Sequence, residues 1–141
     1  MLEDVRQRCD AIEECYEFLL AYAAQGLPGD AGSQSGGQLR DLLSRTVEAL
    51  SGLAESYAAA VKHEGLAPAE KYEAFLQVLD RDARDSLACL ELVLAQPALS
   101  SQLIDNLNAS IHLRALLTDL FLIDEILKLN RIAATPAEAE S

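Results

Sequence analysis

Residues 113–129 read LRALLTDLFLIDEILKL. At about 100° per residue, Leu113, Leu116, Leu120, Ile123 and Leu127 fall on one stripe of a helix. Ala115, Leu122, Ile126 and Leu129 fall on a second stripe, roughly 120° away. Arg114, Thr118 and Glu125 form a narrow polar wedge opposite. The apolar arc covers about 200°, twice what a single core-facing stripe requires. A helix with two apolar stripes needs two sets of neighbours. These can be other helices of its own chain, a second copy of the chain, or a different protein. The stretch does not read as a membrane span, because Arg114, Asp119, Asp124, Glu125 and Lys128 interrupt it.

Three further segments carry the same periodicity. Leu2, Val5, Cys9, Ile12, Tyr16, Leu19 and Ala23 recur at steps of three and four, one face of a first helix. Cys15, Phe18 and Tyr22 lie off that stripe and give this helix a surplus of its own. The segment 26–37, GLPGDAGSQSGG, breaks the pattern and reads as a flexible loop, long for a helix–helix connection. A second helix is expected from about Gln38 to Glu64, with Gly52 inside it at a cost of about 1 kcal/mol relative to alanine. Gly65 ends it. Pro68 suits the first turn of a third helix, whose stripe is Tyr72, Leu76, Leu79, Ala83, Leu87, Leu90 and Leu94. Its charged middle, DRDARD, pairs Asp80 with Arg84 and Arg81 with Asp85 at four-residue spacing, which is the pattern of a solvated face. Pro97 separates the third helix from the fourth. Ser100 or Ser101 caps that last helix, which then runs to about Arg131 as a rod of about 50 Å that projects past its neighbours.

No strand-like alternation and no internal repeat occurs. The expected fold is all-α: an antiparallel up-down four-helix bundle in one domain, residues 1–131, followed by a frayed acidic tail, 132–141. Homodimerisation is one way to cover the surplus apolar surface.

The formal net charge is −12. That opposes binding to a phosphate backbone or an anionic membrane and favours basic partners. The three cysteines, Cys9, Cys15 and Cys89, have no disulfide-framework spacing, and MLEDVRQRCD has none of the features of a signal peptide. A reduced, cytoplasmic protein is expected.

Bundles can hold metals, so the relevant spacings matter. Neither histidine follows a glutamate at the Glu-x-x-His spacing of di-iron bundles, since Ala60 precedes His63 and Ala109 precedes His112 by three. Zinc-protease, Cys-x-x-Cys, phosphate-loop and Gly-x-Ser-x-Gly motifs are absent. One polar constellation remains. On a continuous fourth helix Asp105, Asn108, His112 and Asp119 lie within about 60° of one another, as a carboxylate-oriented imidazole or part of a metal site would require. The simpler reading is a polar patch on the less buried half of that helix, since a lone histidine is usually just that. Cys9 reads as a small core residue, Cys15 and Cys89 as the thiols with any chance of reactivity, and His63 as a surface residue at a helix C-terminus.

The expected function is a non-enzymatic protein-interaction module: an adaptor, assembly factor or chaperone-like regulator. It would work through Ala115, Leu122, Ile126 and Leu129, with Phe18 and Tyr22, together with its acidic surface. Its partner would be itself or another protein with a basic surface, with no nucleic acid, membrane or cofactor involved. The alternative is a sensor or carrier bundle holding a metal or cofactor through His112, Asp105 and Asp119. A carboxylate-based enzyme comes third, because 23 acidic residues make some plausible pair inevitable.

Overall fold

A computed structural model describes residues 2–134, with side chains through Arg131. The described residues form six helices and no strand: α1 (Leu2–Ala23), α2 (Gln34–Leu50), α3 (Leu53–Glu64), α4 (Ala69–Leu94), α5 (Ser101–Asn108) and α6 (Ile111–Ala134). Helix α1 packs against α2, α3 and α5, while α4 packs against α2, α3 and α6. None of these helices is long and apolar enough to cross a membrane.

Two of the four expected rods are broken. The second breaks at Ser51 and Gly52, where Gly52 adopts φ +80°. Side chains with a Cβ rarely adopt that conformation, so the glycine is a hinge rather than a tolerated helical residue. The carbonyls that the break leaves without helical partners are taken from outside. Arg8 of α1 donates to the carbonyls of Ala49 (2.9 Å) and Ser51 (2.7 Å). The apolar stripe passes straight over the hinge, with Leu50, Leu53 and Tyr57 all buried, so periodicity alone does not reveal it. Helix α2 also starts earlier than expected. Ser33 caps it by accepting from the Gly36 N–H at 3.0 Å, which places residues 34–37 in its first turn rather than in the loop.

The last rod breaks at Ala109 and Ser110, so the 50 Å helix does not form. Ser110 Oγ accepts from the His112 N–H at 3.2 Å, a local cap that competes with helix continuation. The short α5 turns onto α1 and the long α6 onto α4. Other signals act as read: Ser100 caps α5 by accepting from Leu103 N–H, and Gly65 closes α3 in a Schellman motif, with Leu66 N–H donating to Val61 C=O. Asp80 pairs with Arg84 at 2.8 Å on the surface. Asp85 instead faces His112. Helix α6 continues through Ala134, so residues 132–134 are helical, and the rest of the expected tail lies outside the described residues.

The segment 26–33, expected to be flexible, is tied at several points. Ser101 Oγ donates to Tyr22 C=O (2.7 Å) and accepts from Leu27 N–H (2.8 Å), and Asp30 accepts from Leu99 N–H (2.7 Å). Tyr22 Oη donates to Leu99 C=O at 2.6 Å. Tyr22 is therefore a core residue with no exposed surface, which removes it from the expected interaction face. Helix α1 has neighbours on two sides, and its buried arc widens to take in Cys15 and Tyr22 beside Leu19.

A polar chain crosses the core. Tyr57 Oη of α3 donates to Asp124 Oδ1 of α6 at 2.6 Å, and Cys9 Sγ of α1 lies 2.9 Å from the same hydroxyl. Because the tyrosine proton is committed to Asp124, the thiol is the donor to Tyr57. This chain links three helices through side chains that would each cost about 1–3 kcal/mol if buried without partners.

Candidate functional site

Both stripes of residues 113–129 exist, and they meet different surroundings. Leu113, Leu116, Leu120, Ile123 and Leu127 are all buried. On the second stripe, Leu122 is 51% and Leu129 55% exposed, with Ala115 and Ile126 half-buried. The break at Ala109–Ser110 adds Ile111, 75% exposed and on the same line of the helix. Its position before the quoted stretch kept it out of the sequence reading. Phe121, 61% exposed, stands in what reads as the polar wedge. Phe18 is half-buried and stacked on Tyr22, with ring centroids 6.5 Å apart.

Helix α4 extends this apolar face. Three contacts define the antiparallel register of α4 and α6: Ser86 Oγ donates to His112 C=O at 3.0 Å, Asp82 meets Asp119, and Asn130 Nδ2 donates to Tyr72 Oη at 3.3 Å. That register sets Val78 level with Leu122 and Phe75 level with Ile126. Val78 is exposed and Phe75 half-buried.

Within this face two carboxyl groups confront each other. Asp119 lies against Asp82, and its Oδ2 is buried without a hydrogen-bond donor. Two ionised carboxylates have no proton to share, and among the described residues neither makes an ion pair. A single proton held between them resolves the conflict. Burial first, then the contact with Asp82 and its charge, push the Asp119 carboxyl up to about 7. Between about pH 4 and 7 the folded chain therefore holds a proton that the unfolded chain releases. Stability falls as pH rises through that window and levels off above it. Asp119→Asn supplies the missing donor and removes the proton linkage. We expect a gain of about 1–2 kcal/mol at pH 8, after allowing for water screening, and a smaller one at pH 5. Urea midpoints of both proteins at the two pH values check this. The comparison is made variant against parent because burial also raises Glu13 and Asp124. An equal gain at both pH values would show that the pair holds no shared proton.

The polar constellation does not assemble. The break separates Asp105 and Asn108 on α5 from His112 and Asp119 on α6. Asp105 is exposed near Leu27 and Ser101, and Asn108 is buried with neither amide atom partnered. His112 Nδ1 lies 3.9 Å from Asp85, at the surface. Among the described residues no three His, Cys, Asp or Glu side chains are grouped to hold a metal. Burial raises both core thiols, Cys9 to about 12, so neither forms a thiolate near neutral pH. Cys89 is half-buried on α4.

A separate cleft of about 200 Å³ opens between α1 and α6, lined by Leu2, Val5, Cys9, Glu13, Asp124 and Leu127 among others. The Cys9–Tyr57–Asp124 chain ends at its floor. The Asp82–Asp119 contact and this chain were illegible in the sequence, since each joins residues of different helices. No known protein family, curated protein or solved structure matches this chain.

Proposed function

We propose that this protein is a non-enzymatic interaction module, an adaptor or assembly factor of chaperone-like character, acting through the outer face of α4 and α6. In this reading it is an up-down four-helix bundle in which α2–α3 and α5–α6 each serve as one broken rod. The observation that carries the reading is the run of exposed apolar side chains along α6: Ile111, Leu122 and Leu129. Burying such side chains against a partner yields roughly 25 cal/mol per Å². The three unpaired thiols fit a reducing cytoplasm. The partner is a second copy of the chain or another protein with a basic surface.

The test is a pull-down from native extract, with the wild-type chain and the Leu122→Ser/Leu129→Ser variant as baits. Each leucine is about half covered by its own chain, so the double variant should lose about 1–3 kcal/mol and still fold, which circular dichroism checks. Loss of the captured proteins with the variant is expected. Identical captured sets for both baits would remove the α6 face from the mechanism.

The α1–α6 cleft supports a second reading, a carrier of a small ligand. An absorption spectrum and metal content of the protein as purified decide it. A coloured or metal-loaded sample favours it, and a colourless, metal-free one counts against it.

A further inference from the structure

We infer that the break at Ala109–Ser110 is a two-way hinge. Straightened, it joins α5 and α6 into one helix and delivers α6 onto α4 of a second copy of the chain, in place of that copy's own α6. This exchange goes beyond the interaction reading above and does not depend on what covers the outer face of α4 and α6.

The direction of the buried faces is the first ground. On one continuous helix Ile104, Leu107 and Asn108 of α5 point roughly 130° away from Leu116, Leu120 and Ile123 of α6. All six are buried. A straight rod presents these faces to bodies on nearly opposite sides. The bend lets one copy cover both, with α5 on α1 and α6 on α4. The straight form serves two copies, one on each side.

Local chemistry is the second. Neither glycine nor proline stands at the break, and Ala109 already has right-handed helical dihedrals, φ −77° and ψ −8°. Its N–H donates to Asp105 C=O at 3.0 Å, and Arg114 N–H donates to Ser110 C=O at 3.3 Å. Both span four residues, as α-helical bonds do, so the ladder fails only between them. The bent form also carries a cost, since Asn108 is buried with neither amide atom partnered. Straightening brings His112 one helical turn from Asn108, within reach of that amide.

What stays and what moves is the third. The start of α5 is pinned to its own copy, where Ser101 Oγ bonds Tyr22 C=O and Leu27 N–H. Helix α6 is held by its apolar stripe, by Tyr57 on Asp124 and by Ser86 on the His112 carbonyl. A second copy offers every one of these partners. Exchange therefore preserves the core contacts and changes only the hinge, which is the condition for domain swapping. Joining two chains costs translational freedom, so the closed monomer prevails at low concentration. Because α6 must leave its groove before it can cross, the exchange occurs as chains fold together.

The full chain is refolded from urea at high and at low concentration, and its mass is read by light scattering. A species of twice the 15.2 kDa chain mass is expected at high concentration and should persist on dilution. Ser110→Ala removes the hydroxyl that accepts from His112 N–H and should raise the dimer fraction several-fold. Proline suits position 111, the first residue of α6, but clashes with the carbonyl four residues back in a straight helix. Ile111→Pro should therefore lower the dimer fraction about tenfold. A second measurement separates swapping from side-by-side association. Asp82→Lys/Asp119→Lys is refolded together with wild type, and the dimers are weighed by native mass spectrometry. Asp82 of α4 meets Asp119 of α6, so a swapped mixed dimer sets each lysine against an aspartate, while unmixed dimers set like against like. Mixed dimers should exceed random pairing several-fold. The inference is overturned by random pairing, by the absence of dimer in both wild type and Ser110→Ala, or by a folded Ile111→Pro chain that dimerises as fully as wild type. If Ile111→Pro does not fold, the mixing experiment decides by itself.

Discussion

Gly36→Ala is expected to destabilise the fold by about 3 kcal/mol, whereas Gly37→Ala, one residue on, is expected to stabilise it by about 0.5–1 kcal/mol. Both glycines lie in the first turn of α2, and helix propensity favours alanine at both. Their surroundings differ. A Cβ at Gly37 meets nothing within 4 Å. A Cβ at Gly36 would drive into the carbonyl of Asp30 and stand 2.7 Å from that residue's Cα. All of these are backbone atoms, so no rotamer change relieves the clash. Either the start of α2 or the segment around Asp30 must move, and that segment is held by Arg40 and by the Leu99 N–H. Urea unfolding followed by circular dichroism should place the two variants on opposite sides of wild type, with Gly36→Ala melting roughly 10 °C lower. Equal stability of the two variants would mean that the 26–33 segment does not sit against α2 as described.

Arg40→Met is expected to cost about 2–4 kcal/mol, since one guanidinium serves three parts of the chain. From α2 it pairs with Asp30, and it donates to the carbonyls of Leu94 (3.2 Å) and Gln96 (3.0 Å), where α4 ends. Those are carbonyls that a helix C-terminus leaves without partners. The Asp30 side chain is only 10% exposed, so removing Arg40 strands a carboxylate out of water. The loss should depend on pH. Arg40, then the Leu99 N–H, hold the Asp30 carboxyl below its usual range. A depressed pKa contributes stability above about pH 4 that disappears as pH falls through the folded value. The gap between wild type and Arg40→Met should therefore be full at pH 7 and narrow toward pH 2–3. Arg40→Lys keeps the charge without the planar fork and should recover less than half of the loss. A constant gap across that range would mean that Asp30 contributes little and that the carbonyl contacts carry the effect.

Arg40, Asp30, Tyr22 and Ser101 hold the end of the molecule where α1, α2, α4 and α5 meet.

What was readable in advance came from local rules. Gly65 and Ser100 ended or began helices where their backbone and side-chain chemistry predicts, and Asp80 met Arg84 one turn away. The two apolar stripes of residues 113–129 were visible because 3.6-residue periodicity is a property of consecutive residues. The hinges were less legible. Gly52 is ambiguous in sequence, since a helical glycine and a left-handed one are the same letter. The apolar spacing continues across it because α2 and α3 bury the same side. At Ala109–Ser110 no glycine or proline marks the break at all.

The sequence by itself determined the helical character of the described residues, the inward stripe of the last helix and a formal net charge of −12, because these follow from side-chain chemistry at fixed local spacing. Only the tertiary structure decided that α5 turns onto α1 while α6 stays on α4, that Tyr22 is core, that Leu122 and Leu129 face outward, and that Asp82 meets Asp119. Each of these depends on which helix lies beside which, and that is decided by packing among residues tens of positions apart, where no local periodicity reaches.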